Sequence, residues 1–156
     1  MGGNTLNNST MNRSVSAATG EYLALGEILK RGIEAYLAHG QTQKCWDIVV
    51  LSASNGVKRI QVKTIDWPSK RAVNGNFIEG FDFLVVVLLD RENPRSQFLV
   101  LPVTDLNSLI SAPSETRKNK ARTLTISNTA MENSLKKYKD QWEQISNPAV
   151  HTGAAQ

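Results

Sequence analysis

A run of seven consecutive apolar residues, Phe83–Leu89, constrains the fold more than any other part of the sequence. A run of this length and composition is typical of a strand that is buried on both faces. Such a strand lies at the centre of a sheet and has layers packed on both sides. The chain has 156 residues, of which 40% are hydrophobic and 21% charged, and this fits one domain with a single core. We therefore expect an α/β fold built around this central strand.

Both ends of the sequence are small, polar and aperiodic. Residues 1–13 and 147–156 cannot bury enough apolar surface to offset their ordering entropy, so we expect flexible tails around a single domain at 14–146. No run of 18 apolar residues occurs, and the first twenty residues are polar, so we expect no membrane association and a cytoplasmic location. A single cysteine, Cys45, and two histidines argue against a disulfide and a Cys/His zinc site.

Apolar periodicity predicts the helices. Spacings of three and four residues predict a helix over residues 15–39 that ends with Gly40 as a left-handed C-cap. A short helix is expected from Thr104, as its N-cap, to Ile110, and a last helix over residues 129–146. The predicted inward stripe of the first helix is Tyr22, Leu25, Leu29, Ile33 and Tyr36, and that of the last is Leu135, Tyr138, Trp142 and Ile145.

Strands are expected over residues 45–51, 57–65 and 97–103 as well as at the central run, and the first two are joined by a turn containing Asn55-Gly56. A two-residue loop there would mix apolar and polar side chains on both faces. A three-residue loop at 54–56, with Gly56 left-handed, keeps the apolar side chains together and puts Asp47, Gln61 and Lys63 on one face. The pairs expected from it are Ile48 with Val62, Val50 with Ile60, and Asp47 with Lys63.

Three ionisable side chains stand out in this arrangement. Glu21 precedes Leu25 by four residues and so continues the inward stripe of the first helix. Each has an ordinary explanation when taken alone: a paired glutamate at Glu21, an aspartate bonded to backbone amides at Asp47, and an edge-strand lysine facing water at Lys63. Their joint arrangement favours a functional site.

The order and spacing of these residues resemble the PD-(D/E)XK nuclease superfamily, which includes restriction enzymes, junction resolvases and some intron-encoded homing endonucleases. The resemblance covers about residues 20–102, with a softer match to homing-endonuclease-like members near the end of the chain. It implies a restriction-endonuclease-like αβββαβ core with a mixed sheet of about four to five strands flanked by helices. The matching segments are Gly20-Glu21-Tyr22, Lys30-Arg31-Gly32, Trp46-Asp47-Ile48-Val49-Val50, Ile60-Gln61-Val62-Lys63-Thr64, Phe81-Asp82-Phe83-Leu84-Val85-Val86-Val87 and Tyr138-Lys139-Asp140-Gln141-Trp142-Glu143.

The resemblance also implies a role for each site residue. Asp47 matches the motif aspartate that bridges Mg²⁺, Lys63 the motif lysine, and Glu21 the acid carried on the helix. Mg²⁺, or Mn²⁺ in its place, would take oxygens from Asp47, the Gln61 amide and the Val62 carbonyl, with Glu21 acting directly or through water. Lys63 would orient or deprotonate the attacking water, or stabilise charge on the phosphorane.

The sequence departs from the family pattern at two positions. Trp46 stands where the motif has proline, and Gln61 stands at the second acidic position. A neutral amide supplies an oxygen without a charge, so we expect weaker Mg²⁺ binding than in an acidic version and a preference for a single ion.

Basic and amide side chains near the predicted site are candidates for phosphate contacts, with solvated loops as the ordinary alternative. The resemblance implies a metal-dependent endonuclease acting on double-stranded DNA, as a homodimer or larger homo-oligomer because one site cuts one strand, and the net charge of +4 is compatible with a polyanionic partner. The alternative is a catalytically lapsed nuclease fold used as a toxin-immunity or DNA-binding module. A plain α/β ligand-binding domain lacks support, because no glycine-rich phosphate loop is present. The candidate phosphate contacts are Arg59, Lys70, Arg71, Asn74, Asn76, Arg117, Lys118, Lys120 and Arg122.

Overall fold

The computed structural model describes residues 13–38, 40, 44–52, 56–77, 79–116 and 121–146. The expected tails therefore lie outside the described residues, apart from Arg13, which begins the first helix. In chain order the elements are α1 (Arg13–Lys30), β1 (Glu34–Leu37), β2 (Ile48–Ser52), β3 (Gly56–Asp66), β4 (Ala72–Gly75), β5 (Phe83–Leu89), β6 (Gln97–Pro102), α2 (Val103–Leu109), β7 (Arg122–Thr125), α3 (Asn128–Glu132) and α4 (Glu143–Ser146), with a 3₁₀ turn at Lys136–Tyr138.

A five-stranded mixed sheet in the order β1-β2-β3-β5-β6 forms the centre of the fold. Strands β1, β2 and β3 are antiparallel neighbours, β3 and β5 are parallel, and β5 and β6 are antiparallel. The predicted α/β class with a mixed sheet flanked by helices is confirmed. The parallel crossover from β3 to β5 passes through β4, and its described residues contain no helix.

The predicted central strand is confirmed in β5, where six of seven residues are buried. Its alternating side chains divide the core in two, as the pleat requires. On one face Val85 packs in a cluster with Ala24 and Ile28 of α1. On the other face Val86 packs in a cluster with Leu124 of β7. No helix among the described segments is long and apolar enough to cross a membrane.

The predicted continuation of the first helix to residue 39 is wrong. The helix α1 ends at Lys30, and Gly32 adopts a φ of 73°, a left-handed conformation that terminates helices readily when the residue is glycine. Residues Glu34–Leu37 then form β1 at the edge of the sheet, paired with β2. Gly32 therefore takes the C-terminal role that the sequence suggested for Gly40.

The predicted buried stripe of the first helix is confirmed in part: Leu25 and Ile33 are partly buried and pack against the core, but the prediction is wrong for Tyr22, Leu29 and Tyr36. Tyr22 is 63% exposed and Leu29 is 48% exposed, whereas the buried positions are Gly20, Ala24 and Ile28. Two of these three residues are small, so the helix backbone approaches the sheet closely. The large apolar side chains of Tyr22 and Leu29 therefore lie on the outer face of the helix.

The predicted hairpin register is wrong by two residues. Ile48 pairs with Ile60 instead of Val62, and Ser52 pairs with Gly56, which leaves residues 53–55 between the strands. Gly56 has the left-handed φ of 68° that was expected, but it is the first residue of β3. Because the shift is even, it preserves which side chains alternate on each face.

The C-terminal region differs from the predicted helices. Pro102 is the N-cap of α2 and gives no side-chain cap bond, so Thr104 does not cap this helix. The predicted helix at 129–146 is divided into α3, the 3₁₀ turn and α4. Asp140 has a φ of 51°, and its N–H bonds to the carbonyl of Phe98 in β6 at 3.0 Å. The predicted apolar stripe of this region is buried as expected, at Leu135, Tyr138, Trp142 and Ile145.

Candidate metal and phosphodiester site

A gap in the sheet lies where β2 begins. The paired part of β3 ends at Ile60, opposite Ile48, so the rest of β3 continues without a β2 neighbour. Asp47 precedes β2 and forms hydrogen bonds to β3 at the start of this gap. Its N–H donates to the carbonyl of Ile60 at 2.8 Å, and its Oδ2 accepts from the N–H of Val62 at 2.7 Å. The carboxylate is therefore fixed in orientation beside the stretch of β3 that has no β2 partner.

The second oxygen of this carboxylate, Oδ1 of Asp47, has no hydrogen-bond partner among the described residues. The backbone contact of Oδ2 is the ordinary role expected of a strand-start aspartate. That role uses one oxygen and leaves the other available to a ligand.

Gln61 is buried in the same place, at 7% exposure. Within the described part of the chain its Oε1 has no hydrogen-bond partner. A buried polar atom without a partner costs roughly 1–3 kcal/mol. The neighbour of Gln61 across the sheet is Leu84, which is apolar and offers no side-chain donor. A cation that takes oxygen ligands would satisfy this amide.

Lys63 follows two residues later on the same face of β3. It is partly buried, and its Cε lies 3.7 Å from the position that a β-carbon on Gly75 of β4 would occupy. No hydrogen bond or ion pair of its ammonium group occurs among the described residues. The side chain thus lies beside β4, and its charge has no ion-pair partner in the described part of the chain.

Glu21 is carried by α1, on the other side of the sheet. It is partly buried on α1, which packs on the face formed by Ile60 and Val62, whereas Gln61 and Lys63 alternate with those residues. Lys63 and Ala17 line one cavity, and Ala17 lies one helical turn before Glu21.

The structure therefore brings Asp47, Gln61 and Val62 together, places Lys63 beside them and carries Glu21 on the adjoining helix. In the described ranges no group of three or more His, Cys, Asp or Glu side chains could hold a metal ion. Any ion here would depend on Asp47 together with amide and carbonyl oxygens. That donor set fits a hard cation such as Mg²⁺, which prefers oxygen ligands.

Two of the predicted phosphate-binding arginines stack on tryptophans. The guanidinium of Arg59 lies 4.7 Å from the ring centroid of Trp46, and that of Arg71 lies 5.1 Å from the ring of Trp67. Both arginine residues are exposed. Stacking on a ring restricts the conformations of an arginine side chain and leaves its positive charge available for a phosphate contact.

The other predicted contacts divide into exposed and engaged side chains. Lys70 and Asn76 are exposed, and Asn74 on β4 is exposed while it accepts from Thr123 at 2.6 Å. Arg122 is partly buried in β7 and donates to the Ser111 carbonyl at 2.6 Å and to Asn107 at 2.7 Å, which indicates a structural tie. Arg117, Lys118 and Lys120 lie outside the described residues.

Two residues near the site were missed from the sequence. Arg13 lines the cavity beside Lys63, and Arg91 binds Asp66 in its wall. The four-residue spacing of Arg13, Ala17 and Glu21 puts them on one side of α1, and this signal could have identified Arg13 had it not been assigned to a tail.

Comparison with known proteins gives one kind of match. No family model matches the sequence, and no curated protein matches it. Among solved structures, the chain is similar to "a bacterial homing endonuclease", I-Ssp6803I, with a TM-score of 0.57 and 19% identity over 88% of this chain and 93% of that chain. At this identity the similarity establishes the fold, so the chain has the fold of a bacterial homing endonuclease.

Proposed function

We propose that the chain is a metal-dependent DNA endonuclease of the PD-(D/E)XK kind that hydrolyses phosphodiester bonds. The observation that carries this proposal is the buried Oε1 of Gln61, which has no partner among the described residues, next in the chain to Val62, whose N–H fixes the carboxylate of Asp47. The fold shared with a bacterial homing endonuclease supports it.

The residues that would hold Mg²⁺ or Mn²⁺ are Asp47 through Oδ1, Gln61 through Oε1 and Val62 through its carbonyl. In a strand the N–H and carbonyl of one residue point to the same side, so the Val62 carbonyl is directed towards the gap that Asp47 borders. Glu21 completes the set directly or through water. When bound, the ion supplies Lewis-acid stabilisation of phosphate charge and acidifies a water molecule.

The side chains of this site have separate tasks. The bond from Val62 N–H to Oδ2 holds Asp47 in one orientation, so little reorganisation is needed when a ligand arrives. Lys63 places an uncompensated positive charge beside the reacting phosphate, where it stabilises the charge of the phosphorane and orients the attacking water. Gln61 contributes an oxygen without a charge, which weakens metal binding relative to a carboxylate.

The proposed substrate is double-stranded DNA, with phosphate contacts from Arg59, Lys70, Arg71 and Asn76, and with Asn74 beside them. We also propose that the protein forms a homodimer or larger homo-oligomer, because one site cuts one strand. The proposed location is the cytoplasm. The outer face of α1 suits contact with a second copy, since it exposes large apolar side chains seven residues apart at Val15, Tyr22 and Leu29.

The test is cleavage of supercoiled plasmid DNA by the purified chain. We expect conversion to linear product with Mg²⁺ or Mn²⁺ and none with EDTA, and direct formation of linear product would indicate two sites acting together. Salt-sensitive DNA binding without cleavage in either metal would instead support a lapsed nuclease fold. Absence of both binding and cleavage would contradict both functions.

A further inference from the structure

A cavity of about 350 Å³ lies beside Lys63, towards the C-terminal end of β3. Its walls are the first turns of α1, residues 63–66 of β3, and β4. Asp47 contacts β3 at Val62, on the other side of Lys63 along the strand. The cavity therefore extends the candidate site from Lys63 towards the C-terminal end of β3.

The charged side chains that line this cavity are mainly basic. Arg13, Lys63 and Lys70 contribute positive charges, and Asp66 is the one carboxylate among the lining residues. Asp66 is already compensated, because Arg91 lies 3.0 Å from it and Lys70 lies 3.8 Å from it. In the described ranges Arg13 and Lys63 have no ion-pair partner. A concave surface with this excess of positive charge attracts anions.

The walls of the cavity are tied together. Arg91 donates to Oδ1 of Asp66 in β3 at 3.0 Å and also to Oγ of Ser16 in α1 at 3.4 Å. These bonds link the helix to the strand beneath it. The pair formed by Lys70 and Asp66 is looser, and the Lys70 side chain is 62% exposed, so Lys70 can turn to another anion at small cost.

We propose that this cavity binds the phosphate next to the cleaved one on the same DNA strand, through Arg13 and Lys70. The inference rests on the proposed function, because it takes Lys63 as the position of the cleaved phosphodiester. From Lys63 to Asp66 the strand advances about 10 Å, which leaves room for one phosphate at Lys63 and the next above the cavity. Arg13 offers a planar fork of donors suited to phosphate oxygens.

The test compares Arg13→Ala, Lys70→Ala and Lys30→Ala. Lys30 is a matched control because it removes one exposed cation from the same helix, about 25 Å from Arg13 along the axis. DNA binding is measured without divalent ions over a series of salt concentrations. Cleavage rates are measured at saturating DNA with Mg²⁺. Arg13→Lys tests whether charge alone restores binding.

Arg13→Ala and Lys70→Ala should each weaken DNA binding about fivefold to tenfold and reduce the slope of log K against log salt by about one. Lys30→Ala should match wild type in both DNA binding and cleavage rate, and Arg13→Lys should recover most of the binding. Equal affinities and slopes in all variants would overturn the inference. Because binding is measured without cleavage, this result is separate from whether the wild-type chain cuts DNA.

Discussion

Replacing Lys63 with alanine should lower the rate of metal-dependent DNA cleavage by about 10²- to 10⁴-fold, with DNA binding nearly unchanged. The variant removes an ammonium group that has no ion-pair partner among the described residues, from the stretch of β3 that lacks a β2 partner. Without it, charge on the phosphorane has no cation from the protein at that position, and the attacking water loses a donor. Single-turnover cleavage of a labelled duplex at saturating enzyme measures the effect.

Asp47→Ala should lower the cleavage rate by a similar factor. It removes the carboxylate and also leaves the N–H of Val62 without its partner. The matched control for Lys63→Ala is Lys58→Ala, which removes a partly buried lysine from the same strand but outside the site. It should cleave at close to the wild-type rate. Full metal-dependent activity in both Lys63→Ala and Asp47→Ala would show that the site lies elsewhere.

Gly20→Ala should destabilise the fold by about 1–3 kcal/mol, the usual cost of overpacking a close contact. A β-carbon at this position would lie 1.8 Å from Oγ1 and 2.9 Å from Cβ of Thr64. Since Thr64 follows Lys63 in β3, α1 must lift away from the strand and take Glu21 with it. We therefore expect cleavage to require a higher Mg²⁺ concentration in this variant.

The same helix supplies the control for this substitution. A β-carbon at Gly26 would meet no atom within 4 Å, so Gly26→Ala should stabilise the helix by about 1 kcal/mol and leave the Mg²⁺ requirement unchanged. Urea unfolding measures both effects. The Gly20→Ala substitution should cost less when Thr64→Gly is already present, because the clashing side chain has been removed. Wild-type stability and Mg²⁺ requirement in Gly20→Ala would contradict the close approach.

Much of the sheet could be predicted because its signals are local. The apolar run at Phe83–Leu89 predicts a buried central strand without reference to the rest of the chain. The alternation around Gln61 and Lys63 fixes a shared face even though the hairpin register was wrong, because an even shift does not exchange faces.

The errors arose where tertiary contacts override local pattern. In α1 the large apolar residues Tyr22 and Leu29 are exposed, and the buried face combines Gly20 and Ala24 with Ile28, so side-chain size does not identify it. Asp140 interrupts a helical pattern because its N–H bonds to β6 across the fold. The cavity beside Lys63 is lined by both α1 and β4, and no local sequence pattern indicates that these two elements share a cavity.

Anomalous diffraction from crystals grown with Mn²⁺ tests the central claim most directly. If Asp47, Gln61 and Val62 form a metal site beside Lys63, an anomalous peak will lie ~2.0–2.6 Å from Oδ1 of Asp47 and Oε1 of Gln61. The claim is contradicted if Mn²⁺ gives no peak at these oxygens and Oε1 of Gln61 instead accepts a hydrogen bond from the protein.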